Sequence, residues 1–136
     1  IVNLIPNDKI LWTQVSSPLV DEKIYKKAVL TYKKKSKLGF DSLMSVTSKK
    51  QFLWDKNGPL NYKVSKRNKW PKTQDLNEIF FINSAIFIFD KNVYMKKKDR
   101  IGNKPFYFSI KEKFSIDIDD FYNFKLAEVL YKSKIK

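Results

Sequence analysis

Ile79-Phe80-Phe81-Ile82-Asn83-Ser84-Ala85-Ile86-Phe87-Ile88-Phe89 is the stretch on which the reading of the fold turns. Its β-branched and aromatic residues suit a pleated strand. Its second half is apolar at every position, as in a strand covered on both faces, so it belongs in the middle of a sheet. Working outward towards the N-terminus, Ile10-Leu11-Trp12-Thr13-Gln14-Val15 is a shorter apolar run that reads as a second buried strand. It ends at Ser16-Ser17-Pro18, a turn into a helix whose apolar face is Val20, Ile24, Ala28 and Tyr32, spaced four apart. Acidic Asp21 and Glu22 at the start of that helix and Lys33, Lys34 and Lys35 at its end suit the helix dipole, and Gly39 is its stop signal. Residues 42–47 then read as another strand. Strand, turn, helix, turn, strand at this spacing is the pattern of a crossover unit, so the fold class is α/β.

The remaining segments are shorter. Residues 52–54 and 60–62 read as a hairpin turning at Asn57-Gly58. Residues 63–73 are polar and irregular. Asp90 is placed to cap a short helix running to Lys98. Residues 106–110 read as a strand, and 115–119 lead into a final helix with Phe124, Ala127 and Leu130 on one side. No repeat, low-complexity block or Pro/Gly-rich linker interrupts the chain, so residues 1–136 read as one domain, long enough to bury a core.

Composition excludes several function classes. A hydrophobic content of 43%, with 11 Phe and 7 Tyr, is too high for a disordered chain. The longest apolar stretch, 79–89, is broken by Asn83 and Ser84 and is too short to span a bilayer. No basic-then-apolar segment opens the chain, and a cytoplasmic location is expected. With no Cys and no His, disulfides, thiol chemistry and the usual zinc ligands are out of reach. A metal here must be held by oxygen, which points to Mg2+, Mn2+ or Ca2+. The formal net charge of +14 is almost wholly lysine, with Arg67 and Arg100 as the two arginines. Recognition of bases and phosphates usually recruits the planar arginine fork. The charge is therefore read as an attraction for anionic small substrates such as nucleotides, with no nucleic-acid or membrane partner.

Three constellations can carry chemistry. In Asp117-Ile118-Asp119, an extended backbone would point both carboxylates the same way, towards one cation. Two carboxylates holding magnesium against a triphosphate is a standard device for moving a nucleotidyl group. The plainer reading is that Asp119 or Asp120 caps the last helix. Gln14-Val15-Ser16-Ser17-Pro18-Leu19 lies just past an expected strand end, where open α/β sheets bind ligands, although Ser16 and Ser17 serve equally well as turn formers. Gln74-Asp75-Leu76 precedes Asn83, whose side chain needs partners amid Phe and Ile or costs about 1–3 kcal/mol. A ligand can supply those partners, and so can backbone groups at a bulge.

Taken in order, these pieces resemble one family, the acylneuraminate cytidylyltransferases (CMP-N-acetylneuraminic acid synthetases). "QVSSPLV" resembles the family's Gln-x-[Thr/Ser]-Ser-Pro-Leu turn, and "FDSLMSVT" its Asp-Ser-[hydrophobic]-x-Ser-Val-Thr strand. "TQDLNEIFFINSAIFIF" is similar to its Gln-x-Leu-Pro…Asn-Gly-Ala-Ile-Tyr-Ile segment, and "FSIDIDDFYNFKLAEVL" to its Ser-Ile-Asp-Ile-Asp…Asp-Phe-x-Leu-Ala-Glu ending. The resemblance implies a nucleotide-diphospho-sugar transferase fold, a Rossmann-like three-layer sandwich. It also implies a reaction between CTP and a sialic-acid-like nine-carbon keto-sugar acid (a nonulosonic acid), giving CMP-sugar and pyrophosphate. By motif match Asp117 and Asp119 would be the catalytic ligands of Mg2+ (or Mn2+), and Gln14, Ser17, Gln74 and Asn83 would contact substrate.

The chain departs from the family pattern at particular places. Thr73, beside Lys72, stands where members often carry Arg; Ser84 replaces the Gly after Asn83; Phe87 replaces a frequent Tyr. A lost guanidinium and a lost hydroxyl would shift preference among related acids, such as legionaminic or pseudaminic types. The family's opening strand and Gly-containing triphosphate loop have no counterpart in this sequence. Residues 1–136 are therefore expected to be the C-terminal part of one cytidylyltransferase domain without its N-terminal strands, inactive alone and prone to associate as a homodimer or other homo-oligomer. The alternatives are a lysine-rich α/β module that binds nucleic acid or anionic membrane, and a CMP-Kdo-type synthetase.

Overall fold

The computed structural model describes residues 4, 9–67 and 69–134. In order they form β1 (Lys9–Thr13), α1 (Glu22–Ser36), β2 (Ser42–Lys49), β3 (Trp54–Asp55), β4 (Gly58–Pro59), β5 (Ile79–Asp90), α2 (Lys91–Lys97), β6 (Pro105–Ser109) and α3 (Phe121–Lys134). Single 3-10 turns lie at Thr73–Asp75 and Glu112–Phe114. Where the sequence reads as one domain, the chain parts into two compact units: Ile1–Thr47 with Ile82–Lys136, and Ser48–Phe81 between them in sequence.

The first unit is built on a four-stranded sheet in the order β1-β5-β2-β6. β5 is interior, as its apolar second half requires: residues 85–89 are all buried. β1 runs antiparallel to it, with Ile10 opposite Phe89 and Trp12 opposite Phe87. β2 and β6 are parallel, with Leu43 opposite Phe106. The pleat sends alternate residues of β5 to opposite faces. Ile86 and Ile88 join Leu43, Phe108, Ile110 and the α1 residues Ala28 and Tyr32 in one cluster. Phe87 and Phe89 join Ile10, Met44 and Val46 in the other, against which Tyr94 of α2 and Ile101 pack. Two apolar layers around one sheet, with a helix on each, make an α/β three-layer arrangement. Burying each of the two phenylalanines contributes about 2–3 kcal/mol.

α1 forms where the four-residue spacing predicts. The Asp21 carboxylate accepts from the Ile24 amide at 3.0 Å and caps the helix. At the other end Gly39 adopts φ +83°, and the Phe40 amide turns back to the Lys35 carbonyl at 3.2 Å, an exit open to glycine at little cost. α2 departs from expectation. Asp90 stands at its cap position, yet its side chain makes no cap hydrogen bond. It accepts instead from the Tyr32 hydroxyl at 3.3 Å and pairs with Lys9 at 3.5 Å. Burial, then the Asp90 charge, pushes the Tyr32 hydroxyl well above the usual phenol range.

In the 48–81 unit the hairpin is tighter than the sequence predicts. Trp54 pairs with Pro59 and Asp55 with Gly58, so Lys56 and Asn57 make the turn. The Asp55 carboxylate decides this by accepting from the Asn57 and Gly58 amides at 2.7 and 3.0 Å. Buried Asn61 ties the unit together. Its amide oxygen accepts from the Leu53 amide at 3.2 Å, and its nitrogen donates to the Gln51 and Asn77 carbonyls at 2.8 and 3.0 Å.

Candidate functional site

The turn after β1 and the segment before α3 meet. The Ser17 amide closes the turn on the Gln14 carbonyl at 3.3 Å, and the Ile118 amide donates to the Ser16 carbonyl at 2.9 Å. That bond brings Gln14-Val15-Ser16-Ser17 beside Asp117-Ile118-Asp119, two constellations about a hundred residues apart in sequence. Ile118 itself faces an apolar pocket with Pro18, Leu19, Phe124, Ala127 and Tyr131.

Two buried polar atoms here have no protein partner: Ser17 Oγ and Asp117 Oδ1. A buried, unpartnered carboxylate oxygen is costly, and such atoms call for a ligand, ion or water. Asp119 is exposed. The cap of α3 falls to Asp120, whose Oδ1 accepts from the Asn123 amide at 2.7 Å, which leaves Asp119 without that duty. Asp117, with one buried oxygen, and exposed Asp119 are the two carboxylates the motif supplies. No group of three or more His, Cys, Asp or Glu that could hold a metal occurs among the described residues. Two carboxylates fit Mg2+ or Mn2+, hard ions that take their remaining ligands from water and phosphate oxygens.

Asn83 is half-buried on β5 and sits among hydroxyls. Its Oδ1 accepts from Ser45 Oγ at 2.5 Å and from the Ala85 amide at 3.4 Å, and its Nδ2 donates to Thr47 Oγ1 at 3.1 Å. Thr47 in turn donates to Ser115 Oγ at 2.9 Å, two residues before Asp117. Neither a ligand nor backbone groups alone account for this asparagine; the hydroxyls of β2 do most of it. Sequence reasoning missed Ser45, Thr47 and Ser115. The available signal was Ser45 and Thr47 two apart in an apolar strand, where the pleat puts both on one face. Ser84, standing where the resembling family has Gly, takes φ +57°.

Gln14 is half-buried at the turn. Gln74 is exposed in the 48–81 unit, and its carbonyl accepts from Lys50 Nζ at 2.6 Å. The first unit therefore carries Gln14, Ser17, Asn83, Asp117 and Asp119, and Gln74 belongs to the other.

No family model matches the chain, and no curated protein matches it in sequence. Among solved structures it is similar to 4-diphosphocytidyl-2C-methyl-D-erythritol synthase from Anaerococcus prevotii, with a TM-score of 0.62 and 13% identity. The match covers 96% of this chain and 63% of that one. At this identity the likeness is one of fold. The chain is an α/β protein with the Rossmann-like fold of that cytidylyltransferase, and it spans rather under two thirds of its length.

Proposed function

We propose that the chain belongs to a CTP-dependent nucleotidyltransferase that activates a sialic-acid-like nine-carbon keto-sugar acid. The observation that carries this reading is the Ile118–Ser16 hydrogen bond of 2.9 Å, which sets Asp117, with its unpartnered Oδ1, in the segment beside the Gln14–Ser17 turn. The fold shared with a diphosphocytidyl-sugar-alcohol synthase supports the nucleotidyl half of the proposal. The four motifs of the resembling family support the sugar-acid half.

In this reading the anomeric hydroxyl of the acid attacks the α-phosphorus of CTP. An O–P bond forms, the bond to the β-phosphate oxygen breaks, and pyrophosphate leaves with the electron pair while the hydroxyl proton passes to solvent. Asp117 and Asp119 would hold Mg2+, which when bound supplies neutralisation of the triphosphate charge. Gln14, Ser17 and Asn83 orient the acid, so that positioning and electrostatics provide most of the rate. A homodimer and a cytoplasmic location belong to the same proposal.

The test is pyrophosphate release by the complete gene product with CTP, Mg2+ and a panel of nonulosonic and Kdo-type acids. Release that requires both substrates and falls about a hundredfold or more in Asp119→Asn is the expected outcome. A folded wild-type protein that releases no pyrophosphate with any acid overturns the proposal. Preference for an eight-carbon acid would move it to a CMP-Kdo-type enzyme.

A further inference from the structure

The hydroxyls around Asn83 form a hydrogen-bond chain whose direction is fixed from its Glu112 end. At one end the Ile86 amide, which can only donate, gives its hydrogen to Ser45 Oγ at 2.8 Å. Ser45 Oγ keeps its own hydrogen, which it donates to Asn83 Oδ1 at 2.5 Å. At the other end the Glu112 carbonyl, which can only accept, takes the Ser115 hydroxyl hydrogen at 2.9 Å. Ser115 Oγ is then left to accept from Thr47 at 2.9 Å, and Thr47 Oγ1 to accept from Asn83 Nδ2 at 3.1 Å. No link can be reversed without setting donor against donor or acceptor against acceptor. The amide orientation of Asn83 is settled independently by the Ala85 amide, which donates to its Oδ1 at 3.4 Å.

This accounting leaves Asn83 with little to offer a ligand. Its oxygen receives two hydrogens, one for each lone pair. One Nδ2 hydrogen is held by Thr47, and the other has no partner among the described residues. We infer that Asn83 is a donor-only contact, held in that state by the positioning residues Ser45, Thr47 and Ser115, and that it recognises an oxygen acceptor of the acid substrate, its carboxylate or a ring hydroxyl oxygen. The inference rests on the sugar-acid reading above and deepens it. A ligand group that presents a hydrogen at this point meets the Nδ2 hydrogen head-on. The hydrogens accepted by Asn83 Oδ1 draw density from the amide and strengthen its remaining Nδ2 hydrogen as a donor.

The test uses the complete gene product with Thr47→Val, Thr47→Ser and Ser115→Ala. Thr47→Val keeps the shape of the side chain and removes the acceptor, so Asn83 loses the partner that holds one of its Nδ2 hydrogens. The expected result is a KM for the acid raised about tenfold, the worth of one such hydrogen bond. KM for CTP should change little, and Thr47→Ser should restore the wild-type values. Ser115→Ala, near the end of the chain and outside β2, should show the same selective effect more weakly and serves if Thr47→Val does not fold. A lowered melting temperature with unchanged KM for the acid, or equal effects on both substrates, overturns the inference. So does failure of Thr47→Ser to restore. The second readout is the NMR of the Asn83 side-chain amide, in which the hydrogen held by Thr47 should exchange more slowly than its neighbour in the wild type and lose that protection in Thr47→Val. If no pyrophosphate is released by the wild type, the enzymatic proposal fails by itself. Loss of that protection in Thr47→Val then still upholds the donor-only chain, and unchanged protection overturns it.

Discussion

Ser84 shows how one residue reports a backbone demand. At φ +57° it sits inside β5 in the left-handed region, which costs a residue with a side chain about 1–2 kcal/mol. Glycine reaches this region freely but loses more chain entropy on folding. Ser84→Gly is therefore expected to stabilise the protein by about 0.5–1 kcal/mol, seen as a rise of a few degrees in thermal unfolding. Asn61 makes the opposite case. Removing its amide in Asn61→Ala strands the Leu53 amide and the Gln51 and Asn77 carbonyls, and a loss of about 2–4 kcal/mol in urea unfolding is expected. Asp41 is a third anchor. Burial raises its pKa, but the Asn103 and Lys104 amides and the Ser42 hydroxyl outweigh that and hold it below the usual carboxylate range. Its contribution to stability is present above its unfolded pKa of about 4 and is lost as pH falls through the lower folded value. Stability measured from pH 6 down to about pH 2 should therefore fall more steeply in the wild type than in Asp41→Asn. Parallel curves for the two proteins would refute the role given to this carboxylate.

At the scale of elements, caps and strand composition decide where helices and strands begin and end. α1 has an ordered N-cap, and Asp21→Ala should cost about 1 kcal/mol in chemical denaturation. Asp120→Ala at the start of α3 should cost a similar amount. The same change at Asp90 has a different meaning, because that carboxylate serves Tyr32 and Lys9 and caps nothing. β5 and α1 were legible from sequence because their patterns are long: five consecutive buried residues in one, a four-residue period in the other. The hairpin was misplaced because Asn57-Gly58 is a strong turn signal, and the Asp55 carboxylate moved the turn one residue earlier.

For the whole molecule, a net charge of +14 on 136 residues sets a long-range repulsion that folding must overcome. Four lysines, Lys23, Lys26, Lys27 and Lys34, line one shallow face of α1. Raising salt from about 10 to about 150 mM shortens the screening length from roughly 30 to 8 Å. The melting temperature should rise over that range and then level off. A flat response would show that the lysines are far enough apart to ignore one another.

The amino-acid sequence alone determined the fold class, the central strand, the first helix and the order of the candidate motifs, because each depends on a local period or a run of residue types. It also placed any metal among oxygen ligands, since the chain has no Cys and no His. What the tertiary structure decided is which of those motifs share a site and what state their atoms are in. The joining of Ser16 to Ile118 and the directed chain from Ile86 through Ser45, Asn83 and Thr47 to Ser115 link residues 36 to 102 positions apart, and only the last step, Ser115 to Glu112, is local. Hydrogen-bond direction in such a chain depends on who sits at each end, and no pattern read along the sequence carries that information.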